Sequence, residues 1–117
     1  MKILVFENSQ QIVDRVVSLI AENMKDISFY KANSYGEALY FLKECNPDVV
    51  LLDLKDPYKN GVESLKKIEE DEKTMFIALL NEVDETKVSH CDDFKADFVF
   101  EKNADLDIIP AIFNAMR

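Results

Sequence analysis

Three runs of this 117-residue chain bring an acid or a lysine to the end of an apolar block. "KILVFENS" runs into Glu7 and Asn8, and "VVLLDLKDPYKNG" reaches Asp53 with Lys55 and Asp56 just behind it. "ADFVFEKNADLD" ends its block in Glu101 and Lys102, while a fourth run, "FIALLNE", leads to Asn81 and Glu82. Two carboxylates, an amide oxygen and a lysine are the groups that hold a hard cation and offset the charge of a phosphoryl group. They can act as one site only if the fold gathers the ends of these blocks.

The blocks themselves predict such a fold. Ile3–Phe6, Ile27–Tyr30, Val49–Leu52, Met75–Leu80 and Phe98–Phe100 are short and rich in β-branched or aromatic residues, as strands are. Helical periodicity fills the gaps. Ile12, Val16, Leu19 and Ile20 recur on one face behind Ser9, a natural N-cap. Ser34 and Glu37 have capping-box spacing ahead of Ala38, Leu39, Phe41 and Leu42. Val62, Leu65 and Ile68 form a third stripe; a weaker fourth segment, residues 84–94, has Asp84 as cap and Val88 and Cys91 as apolar spacers. A last helix from about Asp105 carries Ile108, Ile109, Ile112, Phe113 and Met116, with Pro110 confined to the first turn.

Five alternations of strand and helix predict an α/β fold, a doubly wound parallel sheet with helices on both faces. In the flavodoxin-like (βα)5 arrangement, a five-stranded sheet of order 2-1-3-4-5, the first and third strands are neighbours where the strand order reverses. Ligands of such sheets sit at the carboxyl ends of the strands at that point. Glu7, Asn8 and Asp53 converge there.

Composition narrows the function. The net charge of −9, from 23 acids and 14 bases, argues against direct binding to nucleic acid, which needs Lys and Arg to displace counterions. No run approaches the length of a membrane span, and the apolar start of "MKILVFEN" stops at Phe6, too soon for a signal peptide. The expectation is one domain, residues 1–117, in the cytoplasm, with Cys45 and Cys91 as free thiols. His90, the one histidine, reads as a surface residue, and the acids 69–72 as a solvated helix end. Phe29, Tyr30, Tyr35, Tyr40 and Phe41 read as packing residues. "ENSQQ" after the first strand lacks the glycine-rich loop of a nucleotide carrier, and Lys55 occupies the position where an aspartyl-phosphate hydrolase would want a second carboxylate.

With these residues in view, the chain resembles the receiver domains of bacterial two-component response regulators, over essentially its whole length. "KILVFENS" resembles their first strand and acidic pocket, "NPDVVLLDLKDPYKNG" their phosphoacceptor strand and loop with Pro57 and Gly61, and "ADFVFEKNADLD" their fifth strand and its lysine. The resemblance implies that Asp53 takes a phosphoryl group from a sensor histidine kinase or phosphotransfer protein and that Lys102 pairs with the phosphoryl oxygens. It implies that Mg²⁺ is held by Glu7, Asn8, Asp53 and the backbone carbonyl of Lys55. Such a domain is a signalling module rather than an enzyme. The resemblance implies that it acts on a downstream protein partner or on an effector domain trimmed from a longer chain, through a surface of the fourth helix, fifth strand and fifth helix, here roughly residues 84–94, 98–100 and 106–116, which could also serve a homodimer.

Four positions depart from the family pattern. Asn8 replaces an acid, which implies weaker metal binding. Leu80 stands where the fourth strand usually ends in a hydroxyl donor, with Asn81 next to it; leucine donates nothing. Val99 stands where a switch aromatic is usual, between Phe98 and Phe100 that should face the other way. Asn103 follows the lysine in place of proline. Two readings follow: a phosphoacceptor in a phosphorelay, or a pseudo-receiver acting as a phosphorylation-independent interaction module. Lys55 could itself pair with Asp53 or Glu7.

Overall fold

The computed structural model describes residues 1–7, 9–53, 74–80, 97–102 and 106–115, with the backbone alone at Asn23, Tyr35, Asp53 and Leu80. Five strands, β1 (Lys2–Phe6), β2 (Ser28–Ala32), β3 (Val49–Asp53), β4 (Met75–Leu80) and β5 (Phe98–Glu101), form one sheet of order β2-β1-β3-β4-β5. Every neighbouring pair is parallel. Three helices are described: α1 (Gln10–Asn23), α2 (Tyr35–Cys45) and α3 (Ile109–Ala115), the last preceded by a 3-10 turn, Leu106–Ile108. The predicted third and fourth helices, together with Cys91 and His90, lie outside the described residues.

Strand periodicity sorts the core into two layers. Ile3, Val5, Val49, Leu51, Ile77, Leu79 and Phe100 face one side and pack with Val13, Val16 and Ile20 of α1 and Ile109 and Phe113 of α3. Leu4, Val50, Leu52, Phe76 and Ala78 face the other and meet Ala38 and Leu42 of α2. Strands covered on both sides must be apolar at every position, which is why "VVLL" and "FIAL" are unbroken.

The caps are where the sequence puts them. Ser9 Oγ accepts the Ile12 N–H at 3.4 Å and Ser34 Oγ the Glu37 N–H at 3.2 Å. α2 closes on Asn46, held in the left-handed region at φ 48°, a conformation asparagine tolerates. Three expectations shift. β2 runs Ser28–Ala32 rather than Ile27–Tyr30, because an edge strand tolerates polar residues such as Lys31 and so lacks a clean apolar signature. The last helix is α-helical only from Ile109; Pro110 supplies no N–H to the carbonyl four residues earlier, so the preceding segment closes as a 3-10 turn. Ile108 in that turn is 49% exposed, and Tyr40, expected to pack, is 62% exposed, touching Phe41 edge-on.

The amino end of the sheet is stitched by two aspartates. Asp48 accepts the Lys2 N–H at 2.8 Å while its own N–H donates to the Lys2 carbonyl. Asp97 does the same for Phe76, accepting its N–H at 2.8 Å and donating to its carbonyl at 2.8 Å. These bonds fix the starts of β1, β4 and β5, and hence the register at the opposite end. Phe76 is fully buried, so Asp97→Ala removes a charge-assisted bond to its N–H and should lower the unfolding free energy by about 1.5–3 kcal/mol. Urea denaturation checks this; a loss below a few tenths would mean that water replaces the carboxylate.

Candidate functional site

The carboxyl ends of β1 and β3 flank the point where the chain reverses its direction of travel across the sheet. Glu7 lies one residue beyond β1, and Asp53 is the last residue of β3, beside Leu79 of β4. The register that pairs Phe6 with Leu52 sets Glu7 and Asp53 at the next step. Asp53 thus closes its strand in backbone pairing rather than opening the loop.

Lys102 follows β5, at the far side of β4. Its Nζ lies 2.8 Å from Glu7 Oε2 and donates to Oε1 at 3.1 Å. The two side chains are 3% and 0% exposed. β1 and β5 are separated by β3 and β4, about 14 Å across three strand spacings, a gap that two extended side chains can just close. The pair therefore passes over the ends of β3 and β4, the former being the strand that finishes in Asp53.

Glu7 is also held from its own side. The Ser9 N–H donates to Oε1 at 3.0 Å, so Ser9 both caps α1 and anchors the carboxylate. Among the described residues no donor aligns with Oε2, which is buried and meets the Lys102 ammonium as a charge contact. A buried carboxylate oxygen that accepts no aligned hydrogen bond is the kind of ligand a hard divalent cation takes, so the residue fits that use.

Of the five residues expected at the site, Glu7 and Lys102 are brought together and Asp53 stands at the strand end between them. Asn8 and Lys55 lie outside the described residues, as do Asn81 and Asn103. Leu80 ends β4, in register with Glu101. Val99 packs on the α2 side of the sheet with the second core layer, while Phe98 and Phe100 lie on the opposite face with rings stacked 5.9 Å apart, as expected. The direct Glu7–Lys102 contact and the second role of Ser9 are not foreseen by the sequence reading. A residue with a free N–H two positions after an acid was the available signal for Ser9.

The family model of the response regulator receiver domain matches residues 3–114. This chain belongs to that family. Among solved structures the receiver is similar to the signal receiver domain of a DNA binding response regulator (merR) from Colwellia psychrerythraea 34H, at TM-score 0.84 and 19% identity, covering 99% of this chain and 97% of the other. It also resembles the response regulator domain of Thermotoga maritima CheB, at TM-score 0.74 and 21% identity, covering 100% and 93%. In sequence it is 33% identical over 67 residues to a protein-glutamate methylesterase/protein-glutamine glutaminase from Bacillus licheniformis. That stretch is 57% of the receiver and only 19% of the relative's length. Among the described residues no helix is long and apolar enough to cross a membrane.

The burial of the ion pair has a measurable consequence. Glu7→Gln and Lys102→Met, each removing one partner of this buried pair, should each cost about 3–5 kcal/mol of stability. The double variant should lose less than the sum of the two, because the contact they share can be lost only once. Denaturation of all four proteins forms the cycle; additive losses would show that the two side chains do not depend on each other.

Proposed function

We propose that this receiver is the phosphoacceptor of a two-component phosphorelay, taking a phosphoryl group on Asp53 from the phosphohistidine of a sensor histidine kinase or phosphotransfer protein. The observation that carries the reading is the buried Glu7–Lys102 pair, drawn across the sheet over the end of the strand that Asp53 closes. In the transfer a carboxylate oxygen of Asp53 attacks phosphorus, the P–N bond to the imidazole breaks, and its electron pair stays on the leaving nitrogen. Two anions must approach for this to happen, so catalysis consists of positioning and charge neutralisation. β3 positions the carboxylate. Lys102 supplies one positive charge, through an ammonium that can turn from Glu7 to the incoming phosphoryl oxygens.

Mg²⁺ would be held by Glu7, Asn8, Asp53 and the backbone carbonyl of Lys55. When bound it neutralises charge on the transferring group. Glu7 Oε2, which accepts no aligned hydrogen bond among the described residues, supports that role, and the amide at position 8 makes the affinity lower than two acids would. As one receiver unit of residues 1–117 in the cytoplasm, the protein would pass its signal to a protein partner, to an effector domain outside this sequence, or through a homodimer. The net charge of −9 favours a protein over nucleic acid as the direct target.

Incubation with acetyl phosphate and Mg²⁺ should raise the intact mass by one phosphoryl group, and Asp53→Asn should abolish the gain. An unchanged mass at high Mg²⁺ overturns the phosphoacceptor reading and leaves a phosphorylation-independent interaction module in its place.

A further inference from the structure

We propose that Lys102 is the resident counter-ion of Glu7 and that a divalent cation reaches this site only in competition with it, so that cation binding is the step that releases the lysine. The inference rests on the cation site of the proposed function and concerns how that site is regulated.

The geometry sets up the competition. Glu7 Oε1 is already committed, accepting from the Ser9 N–H at 3.0 Å and from Lys102 Nζ at 3.1 Å. Oε2 is the oxygen left for a cation, and the ammonium stands 2.8 Å from it. A metal ligated there would bring a second positive charge within a few ångströms of Nζ, where neither group is exposed enough for solvent to screen the repulsion. Both cations cannot hold one carboxylate at full strength.

The neighbouring residue sharpens the conflict in this chain. Position 8 is asparagine, which offers an oxygen but no charge. The acids at the ends of β1 and β3 are Glu7 and Asp53, and a Mg²⁺ site draws its charge from one or two carboxylates. A second acid after Glu7 would add a charge for a metal to draw on. With an amide there, Glu7 is one of the two acids available, and its charge is shared with Lys102.

Linkage makes the effect reciprocal: the factor by which Lys102 weakens the cation is the factor by which the cation loosens Lys102 from Glu7. The freed ammonium then lies over the end of β3, ready for phosphoryl oxygens. Cation arrival thereby loosens the lysine from Glu7 and makes its ammonium available to phosphoryl oxygens.

Mn²⁺ binding, read from the loss of the free-ion EPR signal, tests this on wild type and on Lys102→Met. The methionine variant should bind Mn²⁺ roughly tenfold more tightly. Equal or weaker binding by the variant, with wild type still binding, overturns the competition while leaving the cation site standing. Binding by neither protein overturns the cation site and the competition together. Because the variant carries a stability loss, a second measurement uses unaltered protein: the Lys102 side-chain NMR signals should shift during a Mg²⁺ titration with the same midpoint as the amides of Glu7 and Ser9. Lysine signals that stay fixed while those amides saturate overturn the proposal.

Discussion

The receiver's site depends on one ion pair held where water does not reach. Removing a carboxylate and an ammonium from solvent costs several kcal/mol for each ion, and their attraction offsets this only when the geometry is good. Here it is good because Ser9 fixes one oxygen of Glu7 while Lys102 approaches both. An arrangement so costly to assemble restricts the rest of the structure. Glu7 and Lys102 are 95 residues apart, so the pair can form only if five strands take one order and one register.

That register is set mostly by apolar packing. β1, β3 and β4 are buried on both faces, and a slip of one residue would exchange the two core layers, driving Leu4, Val50 and Phe76 against α1 and α3. Asp48 and Asp97 fix the opposite end of the sheet. The carboxyl ends of the strands are thus defined from below, leaving their last residues free to carry charge. Surface pairs contribute little to this frame: Arg15 and Asp107, 3.0 Å apart, join α1 to the 3-10 turn but are 55% and 72% exposed, where such bridges are worth little.

Much of this could be read from the residues. The buried strands announced themselves because burial on two faces demands unbroken aliphatic runs, and alternation with helices implied a doubly wound parallel sheet, whose order 2-1-3-4-5 came with the flavodoxin-like arrangement rather than from the alternation. Ser9 and Ser34 were legible as caps because capping is a local, side-chain-to-backbone matter. What escaped were features set by tertiary context. The edge strand β2 hid behind Lys31, and Tyr40 sits on the outer side of a helix whose inner face is already filled. The Glu7–Lys102 contact escaped for a different reason. Sequence spacing could bring each residue to the same end of the sheet, but whether the lysine meets a carboxylate or waits in solvent depends on side-chain reach across about 14 Å of strand ends.

The departures at positions 8, 80 and 99 bear on switching more than on acceptance. Leu80 ends β4 without a hydroxyl, and Val99 is packed into the α2 layer rather than free to swing. β3, ending in Asp53, and the Glu7–Lys102 pair are nonetheless assembled at one end of the sheet, which supports the proposal that this end receives a phosphoryl group. The most direct measurement is an amide NMR titration with beryllofluoride, a phosphoryl mimic, in the presence of Mg²⁺. Glu7, Ser9, Asp53 and Lys102 should respond together and saturate at one equivalent of bound mimic. Amides of these four residues that do not move at saturating beryllofluoride and Mg²⁺ would contradict it.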